Sequence, residues 1–460
     1  MSLLKIYFRA SLVLVAALSL GSHTLAQSAS TIYSFNGQAS AGLPNYVTPA
    51  QGRDGRLYGT TFGPSGTCGT AFRMTTGGQA VTIYTFGTDG CNPAGGLTLA
   101  TDGNFYGATY YGGASNVGVL FRLSPKGAYA VLHEFASGSD GSGPIMPPVE
   151  DTDGNLYGAT YGTNGDLPTI YKYTLKGGAF STIYNFTPSS GEAVVGPLAQ
   201  GLDGNLYGAA ALGGTEFGGA LFELTTTGTL VWSYDFVPGA TGGATPYSLT
   251  QASDGNFYGA AISGGGEIQC GTIFQVGPTG SVSTLYTFRS YADGCGPETA
   301  LNQGTDGNLY GITPYAGLHN DGTLFRISEE GAFDLLANIG PGGAEPLAAP
   351  MQDTNGIFYG TTYLGGKYNS GTVYRYNAGL DPFVAFILPV GKAGQSAQIL
   401  GQGLTGTTSV TFNGIPATTF NVGSDTFMTA VVPTGATTGK VVVTTPGGTL
   451  TSNVNFRILQ

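Results

Sequence analysis

Short runs rich in Tyr, Phe, Leu, Ile, Val and Thr alternate with clusters of Gly, Asp, Asn, Ser and Pro along residues 31–376. No stretch between them carries the 3.6-residue apolar period of a helix, so the pattern predicts strands and turns. The runs recur in phase. TDGNLYG stands at 305–311 and 152–158, LDGNLYG at 202–208, TDGNFYG at 101–107 and SDGNFYG at 253–259, with weaker copies RDGRLYG at 53–59 and TNGIFYG at 354–360. The Tyr of the YG step falls at Tyr58, Tyr106, Tyr157, Tyr207, Tyr258, Tyr310 and Tyr359, spaced by 48, 51, 50, 51, 52 and 49 residues. A second phrase follows each copy, as in GVLFRL (118–123) and GTLFRI (322–327), and a third precedes it, as in IYNF (183–186) and LYTF (285–288). Self-similarity at so steady a period marks a repeat architecture.

Each repeat reads as four strands. In the fourth copy strand a is PLAQGL (197–202), b is NLYGAA (205–210), c is GALFEL (219–224) and d is LVWSYDF (230–236). Four strands repeated seven times around an axis predict an all-β, seven-bladed β-propeller. The recurring Asp-Gly then falls at the a–b hairpin, where positive φ is needed and Asp-Gly is a preferred pair. A Ca²⁺ loop would need further oxygen ligands at alternate positions and a distal Glu, which none of the copies supplies. Leu206 and Tyr207 are adjacent in strand b and so face opposite ways, which suits a sheet sandwiched between two neighbours. The chain opens with a d-type strand (31–35) and closes with a c-type strand (371–376). The first strand is therefore expected to complete the last blade, closing the ring and removing free sheet edges.

These phrases resemble the Gloeo/Verruco (GloVer) tandem repeat of exported bacterial proteins over residues 31–376. Copies three and seven depart from the pattern: Pro168 replaces the Gly before strand c, and LLANI (335–339) lacks the Tyr-x-Phe. After Tyr376 the repeat stops, and NAGLD (377–381) leads into β-type runs joined by Gly and Pro turns. Residues 382–460 resemble an IPT/TIG domain through Pro389, Gly394, LGQGL (400–404), VTFNG (410–414), VVPTGATTGKVVV (431–443) and Phe456. That resemblance implies a small immunoglobulin-like β-sandwich that binds or spaces at a cell surface. Neither family carries a catalytic motif that transfers to this chain.

The N-terminus changes the address. Lys5 and Arg9 precede the apolar run SLVLVAALSLG (11–21), and Thr24 and Ala26 offer small residues to a signal peptidase. A signal peptide over 1–26, cleaved after Ala26, is expected. The run is short of the ~20 residues of a membrane helix, and no later run approaches that length, so no transmembrane segment is expected in the mature chain. The formal net charge is −11, and the leader itself holds two basic and no acidic residues. An acidic exported chain repels phosphate backbones, which argues against nucleic acid as a partner. Charged residues are 9% of the chain, yet aromatics reach 12%, enough to build a core. Four cysteines occupy equivalent places in repeats one and five: Cys68 and Cys270 precede strand c, and Cys91 and Cys295 follow strand d. The antiparallel neighbours c and d bring these ends together, so disulfides Cys68–Cys91 and Cys270–Cys295 are expected, in keeping with export.

Chemistry is sparse. Beyond the leader there are two histidines, His133 at the usual Tyr position of strand d and His319 in a b–c loop. Copper-radical oxidases and streptogramin-lyase-like propellers rely on His-based metal or His–acid groupings, and no such cluster is visible in the sequence. No nucleophile elbow or phosphate loop appears either. The expectation is no catalytic residue, no metal and no cofactor. The b–c and d–a connections vary and emerge on one face, where binding tends to reside. They carry the candidates Tyr111, Tyr161, Glu216, Phe217, Tyr315, His319 and Tyr368. Rings with nearby polar groups suit stacking on sugars or gripping a peptide. The sequence thus points to a monomeric, secreted or envelope-associated binding scaffold for surface polysaccharide or envelope protein. The alternative is a polysaccharide- or cell-wall-acting enzyme with an acid pair supplied by loops.

Overall fold

A computed structural model describes residues 29–37, 42–64, 66–163, 165–239, 242–289, 292–340 and 342–459. The expected signal peptide lies outside the described residues. Among those described, the only helical element is a single 3₁₀ turn at Gly138–Asp140. Each repeat forms one four-stranded antiparallel sheet in the order a-b-c-d. In the fourth, strand a is Ala199–Gln200, b is Leu206–Ala210, c is Ala220–Leu224 and d is Leu230–Asp235. In the last, Ser30–Ser34 from the start of the chain pairs antiparallel with Thr372–Tyr376. The architecture is a β-propeller.

Successive sheets pack face to face through strand b. Leu206 packs with Tyr157, Ile170 and Phe186 of the preceding sheet. Its neighbour Tyr207 packs with Leu249, Phe257 and Phe274 of the following one. The last contact joins Tyr359 and Val373 to Leu57, Phe72 and Met74 of the first sheet, with Phe35 between them, so the ring closes through core as well as hydrogen bonds.

The DG turns have a more specific construction than an Asp-Gly pair at two positive-φ positions. Only the glycine is left-handed, with φ between 70° and 91° at Gly55, Gly103, Gly154, Gly204, Gly255, Gly307 and Gly356. Gly204 donates its N–H to the Gly201 carbonyl, and Gly201 donates to Asn205, which makes a three-residue hairpin with a glycine bulge. The aspartate works through its side chain. Asp203 Oδ2 accepts from the Asn205 amide at 2.9 Å and from the Tyr207 hydroxyl at 2.8 Å, while Oδ1 accepts the Asn205 N–H at 3.1 Å. The same three bonds recur at Asp102, Asp153, Asp254 and Asp306. Burial works against ionisation of Asp102, but the Asn104 and Tyr106 donors outweigh it and hold its pKa below the ordinary value. In the seventh repeat the polarity reverses: Asn355 stands for the Asp and donates its amide to the Tyr359 hydroxyl at 3.1 Å.

A girdle of side chains ties the turns of neighbouring repeats. The last residue of strand a accepts the turn N–H of the preceding repeat: Gln200 from Thr152, Gln251 from Leu202, Gln303 from Ser253, Gln352 from Thr305, Glu150 from Thr101 and Gln51 from Thr354. The junction of repeats one and two differs, because Leu99 takes the Gln position and Arg53 the Thr position.

Residues beyond the repeats form two four-stranded sheets and a two-stranded ladder around a core of Ile399, Leu404, Phe412, Met428, Val441, Val443 and Phe456. This unit rests on the turn face, at that irregular junction. Arg53 donates to Gln398 and lies over the Phe427 ring at 4.6 Å, Gln398 donates to the Thr101 carbonyl at 2.8 Å, and Thr426 donates to the Arg53 carbonyl at 2.8 Å.

Candidate functional site

With the a–b turns carrying the C-terminal unit, the opposite face is built from the b–c loops and the d–a segments. The d–a segments converge on the axis around a cavity of about 150 Å³, lined by residues of all seven repeats, among them Tyr46, Leu97, Met146, Pro197, Tyr247, Thr299 and Leu347. Tyr46, in a left-handed backbone conformation with φ 54°, stacks on Tyr247 with ring centroids 6.0 Å apart. Burial raises the pKa of Tyr46, and the Glu298 carboxylate bonded to its hydroxyl raises it further. The Glu298 carboxyl is itself pushed up by burial and by the like charge of Glu345, with the Tyr46 hydroxyl opposing. Tyr315 is raised by burial and by the same two glutamates. Tyr161 acts on Tyr46 and on Tyr110.

Of the residues picked from sequence, Tyr161 and Tyr315 lie near enough to Tyr46 to help raise its pKa, but neither lines the axial cavity. Tyr111 stands edge-on to Tyr110, ring centroids 4.6 Å apart. Glu216, Phe217, His319 and Tyr368 sit on exposed loop tips. Phe217, 78% exposed with φ 60°, takes the place where Asn116, Asn320 and Asn369 fold their amides back onto the loop. The cysteines lie under two of the aromatics. Cys68 is bonded to Cys91 and Cys270 to Cys295. Cys91 exchanges two backbone hydrogen bonds with Tyr111, and Cys295 donates to the Tyr315 carbonyl at 3.1 Å. The bridges thus brace the loops that present these rings.

Sequence reading missed Tyr46, Tyr247, Glu298 and Glu345. A signal was present. Counting five residues back from the strand-a girdle position gives Tyr46, Ala94, Ile145, Val195, Pro246, Glu298 and Leu347. Seven different residue types at one phase of a strict repeat mark a ring freed from the repeat's structural demands. The sequence also showed no His–acid cluster, whereas His133 Nε2 lies 3.1 Å from the Asp140 carboxylate. The contact is structural. Tyr84 and Tyr286 at the same strand-d position bind Asp89 and Asp293 in the same way, and His133 stacks on Phe180 with centroids 3.5 Å apart. Among the described residues no group of three or more His, Cys, Asp or Glu is arranged to hold a metal.

The chain belongs to the family defined by the Gloeobacter/Verrucomicrobia repeat, which matches residues 22–199 and 161–374. No curated protein matches it closely. Among solved structures it is similar to Kuenenia stuttgartiensis hydrazine synthase, at 14% identity and a TM-score of 0.52, over 74% of this chain and 98% of that one. It is also similar to an oligogalacturonate lyase from Vibrio parahaemolyticus, at 13% identity and a TM-score of 0.49, over 72% and 89% of the two chains. TolB from Acinetobacter baumannii matches at 16% identity and a TM-score of 0.39, over 60% and 62%. At these identities the likeness concerns fold alone. Two disulfides fit an extracytoplasmic protein, and no helix among the described residues is long and apolar enough to cross a membrane.

Proposed function

We propose that this protein is an exported, non-catalytic scaffold whose loop face binds glycans of the cell surface. In this reading residues 30–376 are a closed seven-bladed propeller, 377–381 a linker, and 382–460 an immunoglobulin-like IPT/TIG module that orients the propeller from its turn face. The observation that carries the reading is the axial cavity, lined by the stacked Tyr46 and Tyr247 and by residues of every repeat, with the Glu298 carboxylate bonded to the Tyr46 hydroxyl. Aromatic faces stack on sugar rings, and carboxylates accept from hydroxyls. The C-terminal module, by covering the turn face, leaves the loop face for the ligand. Disulfides beneath Tyr111 and Tyr315 hold the face in shape outside the cell.

A second reading is a polysaccharide-acting enzyme, and the Glu298 carboxyl favours it, because a carboxyl pushed up by burial and by the like charge of Glu345 suits a general acid. One experiment separates the two. The purified chain is exposed to a panel of bacterial and plant polysaccharides, with binding and released reducing sugar measured on the same samples. Saturable binding without release supports the scaffold, and release abolished by Glu298→Gln supports the enzyme. Binding to neither, with capture of an envelope protein that Tyr315→Ala abolishes, overturns the glycan reading.

A further inference from the structure

We infer that the loop tips of repeats four to seven dock a segment of a partner protein that carries apolar side chains among lysines or arginines. Phe217, Ile268, Leu318 and Tyr368 stand on four successive b–c loops. Phe217 and Leu318 are 78% and 76% exposed, and the other two are half exposed. Leu212, Val237 and Tyr315 extend the same arc. The b–c loops of repeats one to three expose only Tyr111 as a large apolar residue among the described residues. An apolar arc confined to one side of a face marks an interaction surface. None of these side chains lines the axial cavity, so the inference stands apart from the glycan reading. Leucine and isoleucine have no flat face to stack on a sugar ring; they pack against apolar side chains of another protein. Phe217 holds φ 60°, which a bulky residue rarely adopts, where Asn116, Asn320 and Asn369 bond back onto their loops. Its ring serves no bond of the loop that carries it.

Charge selects the partner. Within residues 30–376 the lysines and arginines at the loop end are Arg289 and Lys367, and the others lie toward the turn end. Acidic residues are interleaved with the apolar tips. Glu216 precedes Phe217, Glu267 precedes Ile268, and Asp321 closes the loop of Leu318. Glu192 and Glu345 stand in the adjoining d–a segments. The ion pairs among the described residues take up Asp54, Asp140, Asp153, Asp306 and Asp334, and none of these five. Apolar tips set in negative charge without cations complement a surface that joins apolar side chains to lysine or arginine. The same charge repels the anionic surface of a bilayer.

The test is fluorescence anisotropy of a labelled synthetic peptide of lysine and leucine, titrated with the full chain beside a lysine–serine peptide of equal charge. The leucine-bearing peptide is expected to bind about tenfold tighter, and added salt should weaken both. Phe217→Ser combined with Leu318→Ser should remove the advantage of leucine. Glu216→Gln combined with Glu267→Gln should weaken both peptides several-fold. Glu330→Gln combined with Asp381→Asn removes the same charge from the turn end and should change neither. All six positions are exposed, so unchanged melting temperatures are the check on folding. Equal binding of the two peptides overturns the inference, and so does binding of neither. A turn-end control that weakens binding as much as the loop variant also overturns it, because unspecific attraction to a chain of net charge −11 then accounts for the result. Adsorption to phosphatidylcholine vesicles that the Phe217 and Leu318 variant loses, with no preference between peptides, overturns it in favour of a lipid surface.

Discussion

The Tyr106 hydroxyl donates to Asp102 Oδ2 at 2.8 Å, joining a core aromatic to the turn four residues before it. The ring is packed between two sheets while its polar end closes the hairpin, so one side chain couples turn geometry to sheet packing. This coupling explains why the Asp and the Tyr recur together along the chain.

Removing that hydroxyl should be measurable. Tyr106→Phe deletes a bond to an ionised acceptor and is expected to cost about 1–2 kcal/mol in chemical denaturation. Tyr359→Phe deletes only a bond to the neutral Asn355 amide and should cost less than about 1 kcal/mol. Equal losses would show that the carboxylate is not what makes the clamp.

Two other tyrosines should behave in the opposite sense. Tyr171 and Tyr374 stand in strand c where the other repeats have Phe72, Phe121, Phe222, Phe274 and Phe325, and their buried hydroxyls have no hydrogen-bond partner. Each hydroxyl points at the strand-b glycine opposite, Gly158 or Gly360. Tyr171→Phe and Tyr374→Phe should each stabilise the protein by about 1 kcal/mol, and the pair should be nearly additive because they lie in separate sheets. A loss of stability in either variant would refute the assignment.

The pH dependence has a specific source. Asp353 is fully buried, and burial pushes its pKa from 3.8 to about 6 against the bonds from Asn355 and Gln402. The folded-state pKa is raised, so the folded chain holds this proton more tightly than the unfolded chain. The contribution is fully present below about pH 4 and is lost as pH rises through 6, on the order of 3 kcal/mol in all. Asp353→Asn should flatten the stability profile between pH 4 and 6 and raise stability at pH 8. Denaturation midpoints across that range decide it.

Ring closure is open to a direct test. Ser30–Ser34 supplies the fourth strand of the last sheet, and Phe35 sits in the core between first and last repeats. Deleting residues 29–36 should expose the edge of Thr372–Tyr376 and give an aggregating product in size-exclusion chromatography. A monomer with an unchanged melting temperature would contradict the closure.

Much of this was legible because it is local. The alternation around Leu206 and Tyr207 specified a sheet packed on both sides, and the d-type start with the c-type end specified the partner of the first strand. The equivalence of Cys68 with Cys270 indicated the pairing. What escaped is set by convergence across the ring. Tyr46 and Glu298 belong to the first and sixth repeats and meet only because their d–a segments reach the axis at the same depth. The sequence presents the Asp of the DG turn as a backbone former, because its bonds to Asn and Tyr require the folded hairpin to be seen. The His133–Asp140 pair was hidden likewise, since its model is a tyrosine contact in other repeats.

The irregular junction at Arg53 and Leu99 has a consequence for orientation. A wheel of near-identical units has no natural zero, and six matching girdle links would offer a docking unit several indistinguishable seats. One junction with no side chain to accept the turn N–H, carrying an arginine that Gln398 and Phe427 recognise, acts as an index mark. It fixes the rotational setting of the C-terminal unit, and with it the compass bearing of every loop on the far side. A pseudo-symmetric disc becomes an object with a defined heading, so whatever the C-terminal unit is attached to, Tyr315 and Glu298 face one chosen direction.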